Sequence, residues 1–191
     1  TDVAKPRVTM STTLGDVTLE LFLFEMPVTV SNFLFLAKDH FFDGTHFHRI
    51  RNDCIQGGCP FSADLSSPHA GSGNAPPYST FKNLKYDDET ETRDGEGNIK
   101  DEFGYTKLGE YRLTSKISNS AGTIAMANTG QERTCSCQFF INVTDNLELD
   151  WWHPKNRKKS YHPKDSPDKA GQNWGHPVFG KVVDGMETVQ K

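Results

Sequence analysis

Long apolar runs are missing from this chain. Leu19 to Phe24 is interrupted by Glu20 and followed by Glu25, and Phe33 to Ala37 holds only five residues, far short of the roughly 18 residues of a membrane span. A basic excess is missing too. Lys and Arg number 21 against 25 Asp and Glu, for a net charge of −4, which argues against a global nucleic-acid binder, though local patches stay open. The N-terminus carries no basic region followed by an apolar signal core, so the reading is cytoplasmic, while a start at Thr1 rather than Met leaves a removed leader open. Cysteine is sparse: four residues, at positions 54, 59, 135 and 137. Their spacing, C-x4-C and then a distant C-x-C, departs from the paired C-x2-C zinc pattern. Four free thiols in a reducing compartment are one reading, and a disulfide or adventitious metal site joining the two loops is the other. Internal repeats are absent.

What is present suits one soluble domain over residues 1–191, with a sizeable core. Hydrophobic residues make up 35% and charged residues 24% of the chain, and sixteen Gly, ten Pro and thirteen Phe point to short strands joined by turns around an aromatic core. Arg7 to Phe24 predicts a hairpin: Val17, Leu19, Leu21 and Leu23 alternate with Thr18, Glu20 and Phe22, and Gly15 lies in the turn. Pro27 then opens a helix whose Val30, Phe33, Leu34 and Ala37 recur at helical spacing up to His40. Residues 59–78 read as a long irregular loop. Ser120 to Asn128, Gln138 to Val143 and Val178 to Val183 read as strands, with Phe139 and Ile141 facing away from Phe140. Gly185-Met186-Glu187 begins a second helix. Asn142-Val143-Thr144 is formally a glycosylation sequon, but it falls in an apolar strand and reads as chance.

Phe47 to Gly58, F-H-R-I-R-N-D-C-I-Q-G-G, reads as one short strand ending in a Gly-Gly turn. Period two sends Phe47 and Arg49 to one face and His48 and Ile50 to the other. An Arg on a mostly apolar strand is costly unless its guanidinium finds water, an acceptor or a ligand. An edge-strand Arg whose head snorkels into solvent is the ordinary alternative.

Taken together, the blocks T-L-G-D-V-T-L-E-L-F, P-V-T-V-S-N-F, F-F-D-G-T-H-F-H-R-I, I-Q-G-G, A-G-T-I-A-M-A-N-T-G, C-Q-F-F-I-N-V and H-P-V-F-G-K-V-V-D-G-M resemble the cyclophilins, a family of peptidyl-prolyl cis-trans isomerases. They occur in family order and run through the chain outside the two insertions. The resemblance implies a mostly β fold: a closed eight-stranded antiparallel barrel capped by two helices, with the site on its outer face. It also implies that the chain stops about one strand early. Arg49 matches the catalytic arginine and Gln56 the substrate-positioning glutamine. Ala127 and Asn128 match the backbone groups that pair with the peptide, Gln138 and Phe140 the pocket that receives proline, Leu149 its apolar wall and His176 its rim. The implied partners are proline-containing peptides and proteins. Neither metal nor cofactor is required, because rotation about an X-Pro bond moves no proton and forms no covalent intermediate.

The chain departs from the pattern in three places. Between Arg49 and Gln56 it is one residue short, and Asp53 and Cys54 stand where the family has a Phe-Met pair. Glu148 occupies a position often held by Trp or Phe. These substitutions imply a shallower, more polar pocket that binds cyclosporin-type cyclic peptides weakly. The loop before Gln138 is one residue longer and holds Cys135 and Cys137, which makes a thiol link to Cys59 an expectation to test. Two charged insertions complete the picture. Residues 82–102 hold eight acidic and four basic residues around Asp94-Gly95-Glu96-Gly97 and read as a solvated, turn-centred loop. Residues 151–174 hold six Lys or Arg, two Asp and all three tryptophans. They could pair across the groove, serve as partner surfaces, or stay independent. The resulting expectation is a monomeric prolyl isomerase, with a non-catalytic proline-peptide binding module as the alternative.

Overall fold

The structure, a computed structural model, describes residues 5–86, 89–102, 116–131, 133–157 and 175–191. The first hairpin forms as the alternation requires. Strand β1 (Arg7–Thr12) pairs antiparallel with β2 (Gly15–Leu21), Arg7 opposite Glu20 and Thr12 opposite Gly15. Val17, Leu19 and Leu21 are buried on the inner face.

Helix α1 (Pro27–Lys38) starts at the proline, which lacks the N–H that a first helical position would leave unused. It has no side-chain cap of its own. The Glu102 carboxylate supplies one, accepting the N–H groups of Val28 and Thr29 at 2.7 Å each. The helix ends two residues before the expected His40. That residue takes φ 58° and the Phe41 N–H returns to the Leu36 carbonyl at 3.0 Å, a left-handed stop that satisfies an end carbonyl. Val30, Phe33 and Leu36 are buried. The Phe33 ring lies 5.4, 5.6 and 5.3 Å from those of Phe42, Phe139 and Phe179, which makes this aromatic cluster the centre of the core.

The stretch 47–58 is a hairpin rather than a single strand. Strand β3 (Arg49–Ile50) folds back on β4 (Cys54–Gly57), with Arg49 opposite Gln56. The reversal falls on Asn52-Asp53, residues that favour turns, and closes with the Arg51 N–H on the Cys54 carbonyl at 2.9 Å. A second small sheet joins β5 (Thr80–Lys82) to β6 (Thr90–Thr92). The main sheet continues with β7 (Thr123–Met126), β8 (Phe139–Asn142) and β9 (Val178–Asp184), while α2 (Pro154–Arg157) and α3 (Met186–Val189) are single turns. The strand order is β1-β2-β9-β7-β8-β4-β3, antiparallel throughout. Among the described residues the sheet is a curled, seven-stranded half-barrel with β1 and β3 at its edges.

The acidic segment 82–102 is only in part the solvated loop expected. Its Asp94–Asn98 turn forms, with the Gly97 N–H on the Asp94 carbonyl at 3.1 Å, and Asp94, Gly95 and Glu96 are exposed, but other residues of the segment pack into the fold. Arg93 and Ile99 are 1% and 3% exposed. Arg93 donates from Nε and Nη2 to Asn32 Oδ1 at 2.9 and 2.7 Å and from Nη1 to Ser79 Oγ at 2.6 Å. Its guanidinium also stacks 4.8 Å from the Phe81 ring and 5.5 Å from Phe35. Charge counting missed this because a guanidinium enclosed by an amide, a hydroxyl and two ring faces can be buried without a carboxylate. The basic segment is described only over 151–157, and the proposed pairing of the two insertions lies outside the described residues. No helix among the described residues is long and apolar enough to cross a membrane.

Candidate active site

The outer face of β4, β7 and β8 carries the candidate site residues, because period two divides their side chains between two environments. On β8, Phe139 and Ile141 enter the main core while Phe140 packs outward with Cys54, Ala125 and Val178. Leu149, Ala127 and Ile117 line the same outer cluster. The edge of the Phe140 ring meets the His176 ring at 5.3 Å. The His176 Nδ1 shares a hydrogen bond with the Met126 carbonyl at 3.0 Å. A carbonyl only accepts, so Nδ1 carries the proton. Burial lowers the His176 pKa and keeps the ring neutral near pH 7. These residues form a small apolar cluster, the candidate proline recess, with one oriented imidazole beside it.

A line of polar side chains borders the recess. Gln56 is opposite Phe140 in the β4–β8 register and opposite Arg49 in the β3–β4 register. Arg49 is exposed, and its Nη1 donates to Gln56 Oε1 at 3.4 Å, a long bond. Gln56 Nε2 donates to Gln138 Oε1 at 3.0 Å, and Gln138 Nε2 donates to the Gly71 and Gly73 carbonyls at 2.9 Å each. A sheet edge, two amides and a loop thus border one accessible guanidinium. The turn after Gln56 needs its glycines. A Cβ on Gly58, at φ 85°, would lie 2.5 Å from the Cys137 carbonyl, and one on Gly57 would lie 3.0 Å from the Phe47 ring.

The Ala127 N–H is already bonded to the Gln138 carbonyl at 3.0 Å. The backbone N–H and C=O of Asn128 take no partner among the described residues. The side chain of Asn128 donates to the Gly175 carbonyl at 2.7 Å and accepts the Gly130 N–H at 2.9 Å, which holds that backbone open along the groove.

Sequence reasoning missed a buried amide network behind the recess. Asn146 Nδ2 donates to Asn142 Oδ1 at 2.8 Å and to the Asp53 carbonyl at 3.0 Å; Asn142 Nδ2 donates to Thr123 Oγ1 at 2.9 Å and to Asn119 Oδ1 at 3.3 Å. Asn119 in turn donates through its N–H and Nδ2 to Asp150 Oδ1 at 2.7 and 3.0 Å and through Nδ2 to the His176 carbonyl at 3.1 Å. Ser118 completes the shell around Asp150. The network ties the 51–53 turn, the 143–150 segment and His176 into one support. Its only mark in the sequence is asparagine in or beside apolar strands. Asn142 is fully buried, and its amide is occupied within this network.

The three divergent rim positions occupy different environments. Cys54 is buried, and burial raises its thiol pKa. Asp53 is half-exposed and paired with Arg51 at 2.9 Å. Glu148 is exposed. The expected link from Cys59 to Cys135 or Cys137 is absent; all four cysteines are buried and free. The Cys59 and Cys137 thiols instead hold Gly73 from two sides, Cys59 Sγ accepting its N–H at 3.3 Å and Cys137 Sγ donating to its carbonyl at 3.6 Å. Burial pushes Cys137 up to about 12 and Cys135 well above the ordinary thiol range, so these thiols are inert packing groups. Among the described residues no group of three or more His, Cys, Asp or Glu is placed to hold a metal ion.

Comparison with known proteins places the chain in a family. The model for cyclophilin type peptidyl-prolyl cis-trans isomerase/CLD matches residues 7–191. Peptidyl-prolyl cis-trans isomerase B of Escherichia coli is 30% identical over 185 residues, spanning 96% of this chain and 82% of that protein. A peptidyl-prolyl cis-trans isomerase of Acinetobacter baylyi is 30% identical over 190 residues, spanning 99% of this chain and 72% of that protein. Among solved structures, a Cryptosporidium parvum cyclophilin-type isomerase crystallised in the presence of the dipeptide Ala-Pro aligns over 97% of this chain and 83% of its own, with a TM-score of 0.59 and 22% identity. With the match running through every element of the sheet and site, this chain belongs to the cyclophilin-type peptidyl-prolyl cis-trans isomerases.

Proposed function

We propose that this member of the isomerase family turns over X-Pro bonds with Arg49 as its catalytic group, on proline-containing peptides and proteins. The observation that carries the reading is the exposed Arg49 guanidinium, bordered by Gln56 and Gln138 beside the Phe140 recess.

The chemistry asks for little more. Rotation breaks amide resonance against a barrier of about 18–20 kcal/mol and takes roughly 10–100 s unaided. In the twisted state the proline nitrogen regains its lone pair, so a permanent cation with N–H donors aimed there stabilises the transition state over the planar ground state. Phe140 and Leu149 hold the pyrrolidine ring, with the neutral His176 at its rim. Gln56 and the Asn128 backbone hold the flanking peptide, so one side of the bond rotates against a fixed other side. The same reading takes residues 1–191 as one domain, and the seven-stranded sheet as the described part of a closed eight-stranded barrel. An exposed Glu148 in place of an aromatic wall leaves cyclosporin-type cyclic peptides a weak fit.

Cis-to-trans relaxation of a short X-Pro peptide, followed with the protein and with Arg49→Ala, tests the assignment. Acceleration by the protein that falls on the order of 10²- to 10³-fold in the variant is the expected result, the scale of losing one preorganised donor. An unchanged rate in the folded variant overturns the role of Arg49, and no acceleration by the intact protein points to a proline-peptide binding module.

A further inference from the structure

Beside the proline recess lies a second, polar cleft. It is open, with a volume of about 580 Å³, and is lined by Arg51, Asn52, Asp53, Asn146 and Glu148. It shares a wall with the recess: Asp53 and Glu148 precede Cys54 and Leu149, which pack in the Phe140 cluster. A chain seated with its proline on Phe140 therefore brings a neighbouring side chain to this cleft.

The charges in the cleft are unequal in availability. Arg51 Nε donates to Asp53 Oδ1 at 2.9 Å, so these two largely cancel. The Asn146 amide is buried and occupied by the Asp53 and Thr144 carbonyls and Asn142. Glu148 is exposed and its carboxylate has no partner among the described residues, although its backbone carbonyl is anchored by Asn156 Nδ2 at 2.8 Å. Among the residues lining the cleft, Glu148 is thus the one carboxylate without an ion-pair partner, on a backbone held in place by Asn156.

We propose that Glu148 is a specificity-determining residue: the cleft selects proline peptides with a cationic Lys or Arg side chain flanking the proline and discriminates against acidic ones. The inference rests on the proline-peptide reading above and adds the substrate class. The effect has the size of an exposed charge pair, roughly threefold between Lys and Glu peptides at low salt, and fades toward 1 M salt, where the screening length falls to about 3 Å.

The test uses peptides that differ only in Lys, Gln or Glu next to proline, placed on either side. Both isomerisation kcat/KM and equilibrium affinity, from amide chemical-shift titration, are measured. The readout is the Lys-to-Glu ratio rather than the absolute rate. A ratio above one, collapsing in Glu148→Gln and inverting in Glu148→Lys, is expected. A ratio near one in the intact protein, or one unchanged in Glu148→Gln, overturns the proposal. If no peptide is isomerised but the affinity ratio still depends on Glu148, the isomerase reading fails and the selectivity proposal stands.

Discussion

Two arginines in this chain occupy opposite extremes. Arg93 is 1% exposed, makes three bonds to Asn32 and Ser79, and lies over two phenylalanine rings. Arg49 is exposed, with one long bond to Gln56. The first cation has a bond from each of its three guanidinium nitrogens answered from within and joins the 82–102 segment to α1. The second keeps most of its donors for something outside. A guanidinium is always charged, so its role is decided by how many of its donors the fold satisfies.

The comparison breaks or sharpens by substitution. The largest contrast comes from truncating each arginine. Arg93→Ala is expected to lower unfolding stability by about 3 kcal/mol, because it opens a cavity and strands the Asn32 and Ser79 acceptors. Arg49→Ala should move stability by under about 0.5 kcal/mol, as exposed substitutions do, while losing activity as stated above. Urea unfolding beside the peptide assay checks both. Equal stability losses would end the distinction.

Next in size is the other tie between 82–102 and α1. Two helix N–H groups favour ionised Glu102, but burial is the larger influence and raises its pKa from 4.5 to about 7. A folded-state pKa above the unfolded value means that the native state binds more protons in between. Its contribution is therefore fully present below about pH 4.5 and is lost as pH rises through 7. Stability should fall across this window by up to about 1.4 kcal/mol per pH unit. In Glu102→Gln this part of the slope disappears, which unfolding curves at a series of pH values will register.

The smallest of these effects concerns the amides that steady Arg49. Gln138→Ala frees Gln56 and releases the Gly71 and Gly73 carbonyls. The expected cost is about tenfold in kcat/KM, the size of one or two hydrogen bonds, with Arg49 itself intact. A KM and kcat analysis against Arg49→Ala separates loss of positioning from loss of the charge.

Much was already legible in the sequence. Period-two alternation predicted β1, β2 and the opposed faces of Phe139 and Phe140, and Pro27 marked the start of α1. Those signals are local, since side-chain direction follows from backbone geometry within a few residues. The ordered family blocks pointed to Arg49, Gln56, Gln138, Phe140 and His176, which the fold gathers on one face. Other features depended on distant partners. The turn at Asn52-Asp53 was hidden inside an apparently continuous strand, and the buried state of Arg93 required Asn32 from a helix 61 residues away. Glu102 caps α1 across 74 positions, and the Asn119–Asn142–Asn146 network joins segments that composition treats as unrelated. The sequence by itself determined which residue types were available and which way short elements face. Only the tertiary structure decided which polar groups satisfy one another, because that depends on meetings between residues far apart in the chain, and so which cations and carboxylates remain free to meet a substrate.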